Sequence, residues 1–259
     1  MTVILYTGGG GRMGTVLRAG LSGEFERVVL YARRDIPDLN PGEEVVVGEL
    51  DDLDTLTNAM AGVDVVLHFA GIADEAPFAD IAESNIMGTW AIFEAARRAG
   101  VRRVVYASSH HIIGGYPAGQ FLGTEEPVRP DTYYGLSKVF GEGAARLYHD
   151  KWGLEAVCLR IGAFRPTPED RRHLSVWLSH RDGIHLVRRA IAAEDVGFLV
   201  TYGVSANTRS WWNNSPSAEL LAYHPVDDAE DHLSSVAETD EPEHQGGPFA
   251  DPEYRGGVW

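Results

Sequence analysis

Three short stretches hold residue types at spacings that can do chemistry. Tyr134-Gly-Leu-Ser-Lys138 sets a tyrosine and a lysine four positions apart, which puts both on one face of a helix. A lysine beside a tyrosine favours the phenolate, so the phenol can take a proton nearer neutral pH. The same spacing also occurs as an ordinary surface pair. Ala107-Ser108-Ser109-His110-His111 follows an apolar run. Serines at the carboxyl end of a parallel strand can hydrogen-bond a substrate oxygen, or they simply cap a turn. Thr7-Gly-Gly-Gly-Gly-Arg-Met-Gly14 stands directly after another apolar run, with Gly8, Gly11 and Gly14 spaced by threes. Glycines there let backbone N–H groups and a helix N-terminus approach a pyrophosphate. Strand, turn and helix in that order favour dinucleotide binding over a plain glycine turn.

Other reactive residue types carry less. The ten histidines include no His-Glu-x-x-His and no paired-cysteine spacing, so no metal site is expected. His110 and His111, if extended, point to opposite sides, so at most one faces a pocket. Cys158, the single cysteine, excludes an intrachain disulfide and reads as a buried core thiol. Trp211 and Trp212 could line a sugar site, although core packing is the simpler reading. Arg165, Arg171 and Arg172 fall within eight residues, as phosphate sites do and as solvated loops also do.

These groups need a scaffold, and the chain supplies one by alternation. Apolar, β-rich runs at 3–7, 27–31, 44–47, 63–68, 103–107 and 155–161 alternate with helical spacing at 13–21, 53–60, 80–99 and 134–152. Gly100 and Gly153 stand where helices should stop. The pattern predicts an α/β fold of Rossmann type, a doubly wound parallel sheet with helices on both faces. Residues 1–161 form the dinucleotide-binding core. Residues 162–259 form a small substrate-side lobe with an acidic tail, packed on the core as one unit: a helix at 174–193, a strand at 198–202 and a helix at 216–223. The chain of 259 residues carries a net charge of -16, which argues against nucleic acid and anionic membranes as partners. From residue 226 onward there are ten acidic residues and one arginine, a composition that predicts mobility in the middle of the tail. No apolar run is long enough to span a bilayer and the first residues enter a strand at once, so a cytoplasmic protein is expected.

Taken in order, the glycine turn, the serine pair and Tyr134/Lys138 resemble the extended short-chain dehydrogenase/reductase superfamily. Ser109 precedes Tyr134 by 25 residues, as in that branch. Finer stretches, ASSHHIIGGYP, RPDTYYGLSK, LSVWLSHRD, SWWNNS and QGGPFADPEY, resemble bacterial uronate dehydrogenases, which oxidise the anomeric carbon of a hexuronic acid to a lactone with NAD. The tail-end match implies that the tail's end is ordered.

The resemblance implies roles. Tyr134 is the base, Lys138 holds the nicotinamide ribose and lowers the tyrosine pKa, and Ser109 binds the reacting oxygen. The cofactor would lie on Gly8, Gly11, Arg12, Met13 and Gly14, against Leu50, and against Phe69, Ala70 and Gly71 of the HFAG turn. Asn85, Ile161, Tyr134 and Lys138 complete its site. Arg172 would grip the sugar carboxylate. The substrate positions Ala73, His110 and Ala163 depart from the family's serine, asparagine and serine, which points to a different or less polar ligand. An archaeal branch acting on glucose 6-phosphate is also similar, so a sugar-phosphate or polyol dehydrogenase and a ketoreductase stay open. A nucleotide-sugar epimerase or dehydratase fits less well, because the lobe is short. A sensor that binds cofactor without catalysis fits poorly with an intact Ser109/Tyr134/Lys138 set. Where the family has an aspartate after its second strand, this chain has Ala32 followed by Arg33 and Arg34. With Arg12 nearby, that pattern accommodates a 2′-phosphate, and NADP is expected in preference to NAD. Related enzymes associate through helices flanking the sheet, so a homo-oligomer is expected.

Overall fold

The computed structural model describes residues 2–257, apart from the side chain of Pro216. Met1, Val258 and Trp259, at the outer ends of the expected core and tail, lie outside the described residues. The β-rich runs become β1 (Val3–Thr7), β2 (Arg27–Ala32), β3 (Glu43–Val47), β4 (Val65–His68), β5 (Arg103–Ser109) and β6 (Glu155–Ile161). The helices are α1 (Arg12–Gly20), α2 (Leu53–Ala59), α3 (Phe78–Ile81), α4 (Gly88–Ala99) and α5 (Tyr133–Trp152). The later part adds β7 (Ala163–Phe164), α6 (His173–Val176), β8 (Trp177–Leu178), α7 (His180–Ala192), β9 (Phe198–Gly203) and α8 (Ser215–Leu221).

Seven parallel strands form one sheet in the order β3-β2-β1-β4-β5-β6-β9. The order reverses beside β1, so a crevice opens at the carboxyl ends of β1 and β4. Successive side chains on a strand face opposite sides. In β1, Leu5 joins a core with Leu56, Phe93, Tyr106 and Ala145 under α2, α4 and α5. Ile4 and Tyr6 join the opposite core with Leu17, Leu186 and Val187 under α1 and α7. Cys158 is fully buried, as expected. Helices α4 and α5 stop at Gly100 and Gly153, both left-handed, where a Cβ would be strained.

Three expectations are corrected. The helix expected at 80–99 begins at Phe78 and passes through a π-helical turn, Ala82–Met87, before α4. The helix expected at 174–193 is two helices with β8 between them, because β8 pairs with β7 and the Ser179 side chain accepts the Asp182 N–H to start α7 afresh. Helical periodicity does not register such a break, since the apolar residues continue through it. The middle of the tail is also tied down: Ala229–Ser235 forms a 3-10 turn, Ala237 N–H donates to Glu169 O at 3.0 Å, and Glu241 pairs with Arg171 at 2.9 Å. Acidic composition missed these partners because the bases lie elsewhere in the sequence. Among the described residues no helix is long and apolar enough to cross a membrane.

Candidate active site

The expected site residues gather at the carboxyl ends of the strands. Gly8 to Gly11 join β1 to α1, whose first turn holds Arg12, Met13 and Gly14; Arg33 and Arg34 follow β2, and Leu50 follows β3. Phe69 to Ala73 follow β4, Ser109 ends β5, and Ile161 and Ala163 flank the end of β6. The glycine turn is a cradle that admits no larger residue at Gly8 or Gly14. A Cβ on Gly8 would lie 2.6 Å from the Phe69 carbonyl carbon, and one on Gly14 would lie 2.2 Å from Gly8 O. The turn thus seats against the Phe69-Ala70 backbone and leaves Gly10, Gly11 and Arg12 exposed at the start of α1, as a pyrophosphate site requires. Met13 packs against the core with Leu17, and Leu50 packs beside Gly88. Asn85, in the π-helical turn, holds the Ile72 backbone with both side-chain atoms, at 2.8 and 2.9 Å, and donates to Ser137 Oγ at 3.1 Å. Its side chain shapes the turn after Gly71 and ties it to α5.

Ser109, Tyr134 and Lys138 come together. Ser109 lies beside Tyr134, close enough to act on its phenol. Both are buried. Thr132 caps α5, its side chain accepting the Gly135 N–H at 2.9 Å. Buried Arg160 and Glu142 form a two-pronged ion pair at 2.8 and 3.0 Å, and Ser108 Oγ donates to the same carboxylate at 2.7 Å. Ser108 therefore anchors β5 to α5 and turns away from any substrate. Lys138 Nζ donates to Ala107 O at 2.7 Å and lies 5.6 Å from the Tyr134 ring centre. Burial pulls the Lys138 pKa down to about 8. Burial also pushes the Tyr134 pKa up to about 12, against the lowering effect of the neighbouring Ser109 hydroxyl. Desolvation of the phenolate is the largest influence on Tyr134 and holds the phenol protonated in this state.

His110 and His111 sit side by side, ring centres 4.1 Å apart. The extended backbone assumed from sequence is replaced by a 3-10 turn, His110–Ile112, started by the His111 N–H donating to Ser109 Oγ at 3.2 Å. His111 Nδ1 donates to Asp131 Oδ2 at 2.7 Å, and the carboxylate is fully buried. His110 Nδ1 donates to Ile161 O at 3.0 Å, and Nε2 accepts from Arg172 Nη1 at 3.1 Å. Arg165 pairs with Glu169 and Arg171 with Glu241. Arg172 makes no ion pair among the described residues, and its Nε is buried without a hydrogen-bond partner. Ala163 is buried and Ala73 exposed. Trp212 is core, stacked on Tyr202 at 4.8 Å.

Sequence reasoning missed Asp131 and the wall made by the chain's end. Phe249 stacks on His111 at 4.0 Å, and buried Gln245 accepts from Trp212 Nε1 at 2.8 Å. Asp131 had one signal, its place immediately before the Thr132 cap. Among the described residues no cluster of three His, Cys, Asp or Glu side chains could hold a metal.

Residues 4–181 match the NAD dependent epimerase/dehydratase family. The uronate dehydrogenase of Pseudomonas syringae pv. tomato is 44% identical over 88% of this chain and 82% of its own. That of Agrobacterium fabrum is 39% identical over 97% of both. A solved variant of the Agrobacterium tumefaciens uronate dehydrogenase, complexed with NAD, is 38% identical with a TM-score of 0.92, covering 98% of this chain and 99% of that one. The expectation of NADP over NAD is overturned by these findings, since the enzyme matched along its whole length is held with NAD. The physical error lay in reading Ala32 as a phosphate site. Losing a carboxylate removes a repulsion, but a 2′-phosphate needs donors that converge. Arg33 and Arg34 are exposed and, among the described residues, neither is held by a hydrogen bond or ion pair. With its glycine cradle, its Ser109/Tyr134/Lys138 cluster and these identities, the chain belongs to the NAD dependent epimerase/dehydratase family.

Proposed function

We propose that the protein oxidises the anomeric hydroxyl of a hexuronic acid to an aldarolactone, with NAD as cofactor. Arg172 carries this reading. A half-buried guanidinium whose Nε is sealed from water, with no ion-pair partner, is costly, and a substrate carboxylate near Ser109 and Tyr134 would relieve that cost with a two-pronged, charge-assisted contact. Arg165 and Arg171, already neutralised by Glu169 and Glu241, leave no arginine cluster for a sugar phosphate.

The Gly8–Gly14 cradle and the buried Lys138 fit a dinucleotide. When bound, NAD supplies the hydride acceptor and a positive ring charge. Ser109 Oγ holds the reacting oxygen. Tyr134 takes the hydroxyl proton as the C1–H electron pair leaves and the C1=O bond of the lactone forms. Lys138 contributes a cation at the same pocket. A second copy of the chain is the partner, docking on α4 and α5. These helices flank the sheet and expose Trp90, Leu136, Phe140 and Leu147, the last three on one face of α5.

The test is reduction of NAD with galacturonate, glucuronate, glucose 6-phosphate and neutral aldoses. Turnover of the uronates is expected. Activity confined to neutral or phosphorylated sugars would overturn the assignment.

A further inference from the structure

His110 stands where the resemblance places a sugar-binding asparagine, yet both of its ring nitrogens are used by the protein. Ile161 O can only accept, so Nδ1, 3.0 Å away, carries the hydrogen. Nε2 then bears the lone pair and accepts from Arg172 Nη1 at 3.1 Å. The ring cannot swing free. His111 lies against it at 4.1 Å and Trp212 at 5.5 Å, both tilted by 40°. The charged and titratable groups around it are His111, Arg172 and His173, and burial together with these holds it neutral. On the other side, Arg172 Nη1 reaches Gln245 O at 3.5 Å, and a Cβ on Gly247 would lie 2.7 Å from Arg172 Cδ. One end of the guanidinium is thereby clamped. Among the described residues, no protein group bonds its Nε or Nη2.

We infer that His110 is a positioning residue for Arg172: it ties up Nη1 and so turns the Nε/Nη2 edge, side-on, toward the substrate carboxylate. The inference rests on the reading of Arg172 as the carboxylate-binding group. It makes His110 a determinant of specificity for acid over neutral sugars without touching the sugar. An imidazole suits this because it accepts at one nitrogen while the other fixes its orientation.

The experiment is a cycle of His110→Ala, Arg172→Ala and the double variant, read as KM and kcat for galacturonate and as the ratio of kcat/KM for galacturonate to that for galactose. His110→Ala should raise the galacturonate KM about tenfold with kcat within about twofold, the signature of lost ground-state binding. The acid-to-neutral ratio should fall by the same factor. The double variant should be no worse than Arg172→Ala, because both remove one contact. His110→Gln, which keeps an acceptor, should recover part of the loss, and His110→Asn, too short to reach, should not. These two carry the test if the alanine variant does not fold. A further tenfold loss on top of Arg172→Ala, or equal loss for galacturonate and galactose, would overturn the role of His110 alone. An Arg172→Ala enzyme with unchanged galacturonate KM would overturn the carboxylate reading, and His110 with it.

Discussion

Tyr254 and Asp74, 180 positions apart in the chain, share a hydrogen bond from Oη to Oδ1 at 2.5 Å. Asp74 also accepts the Gly257 N–H at 2.9 Å. Its neighbour Glu75 accepts the N–H of Tyr134 at 3.1 Å. The end of the chain is thus hooked to the loop after β4, which in turn holds the first turn of α5. Between these anchors Phe249 lies 4.6 Å from the Tyr254 ring and 4.0 Å from His111. A segment remote in sequence therefore walls the pocket beside Ser109.

That wall should matter for the sugar and little for the cofactor. Phe249→Ala removes the ring on His111, and the KM for galacturonate is expected to rise about tenfold, the cost of one buried aromatic contact. The NAD Kd, read by fluorescence titration, should stay within about twofold. Equal weakening of both ligands would show that the segment only supports the fold.

The proton-transfer step gives the second expectation. Tyr134→Phe leaves the pocket shape but removes the proposed base, and turnover should fall by about a thousandfold, while NAD still binds. In the proposed step Tyr134 acts as phenolate, and burial holds its pKa near 12 before ligands bind. Activity should therefore rise with pH across the neutral range. Lys138 acts in the opposite direction, since its charge is lost as pH rises through about 8. A rate profile that is flat from pH 6 to 8 would contradict Tyr134 as the titrating base.

Much of this architecture was legible because it is local. β1, the glycine turn and α1 are contiguous, and the four-residue spacing of Tyr134 and Lys138 fixes a shared helix face wherever the helix packs. The parts that were not legible depend on long-range partners. Ala32 followed by two arginines looks like a phosphate site until the side chains are seen exposed at the strand end. Adjacent histidines look divergent until Ser109 winds them into a 3-10 turn. The acidic tail looks unpartnered until Glu241 meets Arg171, 70 positions away. The break at Trp177–Leu178 needed the pairing with β7, which no periodicity in 174–193 records.

The exposed face of α4 and α5 predicts an assembly. Phe140→Glu, alone or with Trp90→Glu, places charge on an apolar surface that a second copy would cover. Size-exclusion chromatography with light scattering should show a shift to a smaller species, with NAD binding retained. An unchanged mass would remove this face from any interface.

The last expectation concerns acid. His68 is buried within hydrogen-bond distance of Thr7 Oγ1 at 2.9 Å and Thr89 Oγ1 at 3.1 Å. Burial, with Lys138 nearby, pulls its pKa from the ordinary 6.5 down to about 3. Between those values the unfolded chain binds a proton that the folded chain does not, so stability falls as pH drops through the window. His173, pulled by burial to about 4, acts in the same direction. The cleanest range is pH 6.5 to 5, above the ordinary carboxylate range. There the Tm of the protein should decline steadily. His68→Asn should begin with a lower Tm at pH 7, because the threonine contacts change, yet decline less steeply on acidification. A variant whose slope matches the wild type would show that the acid sensitivity arises from other groups.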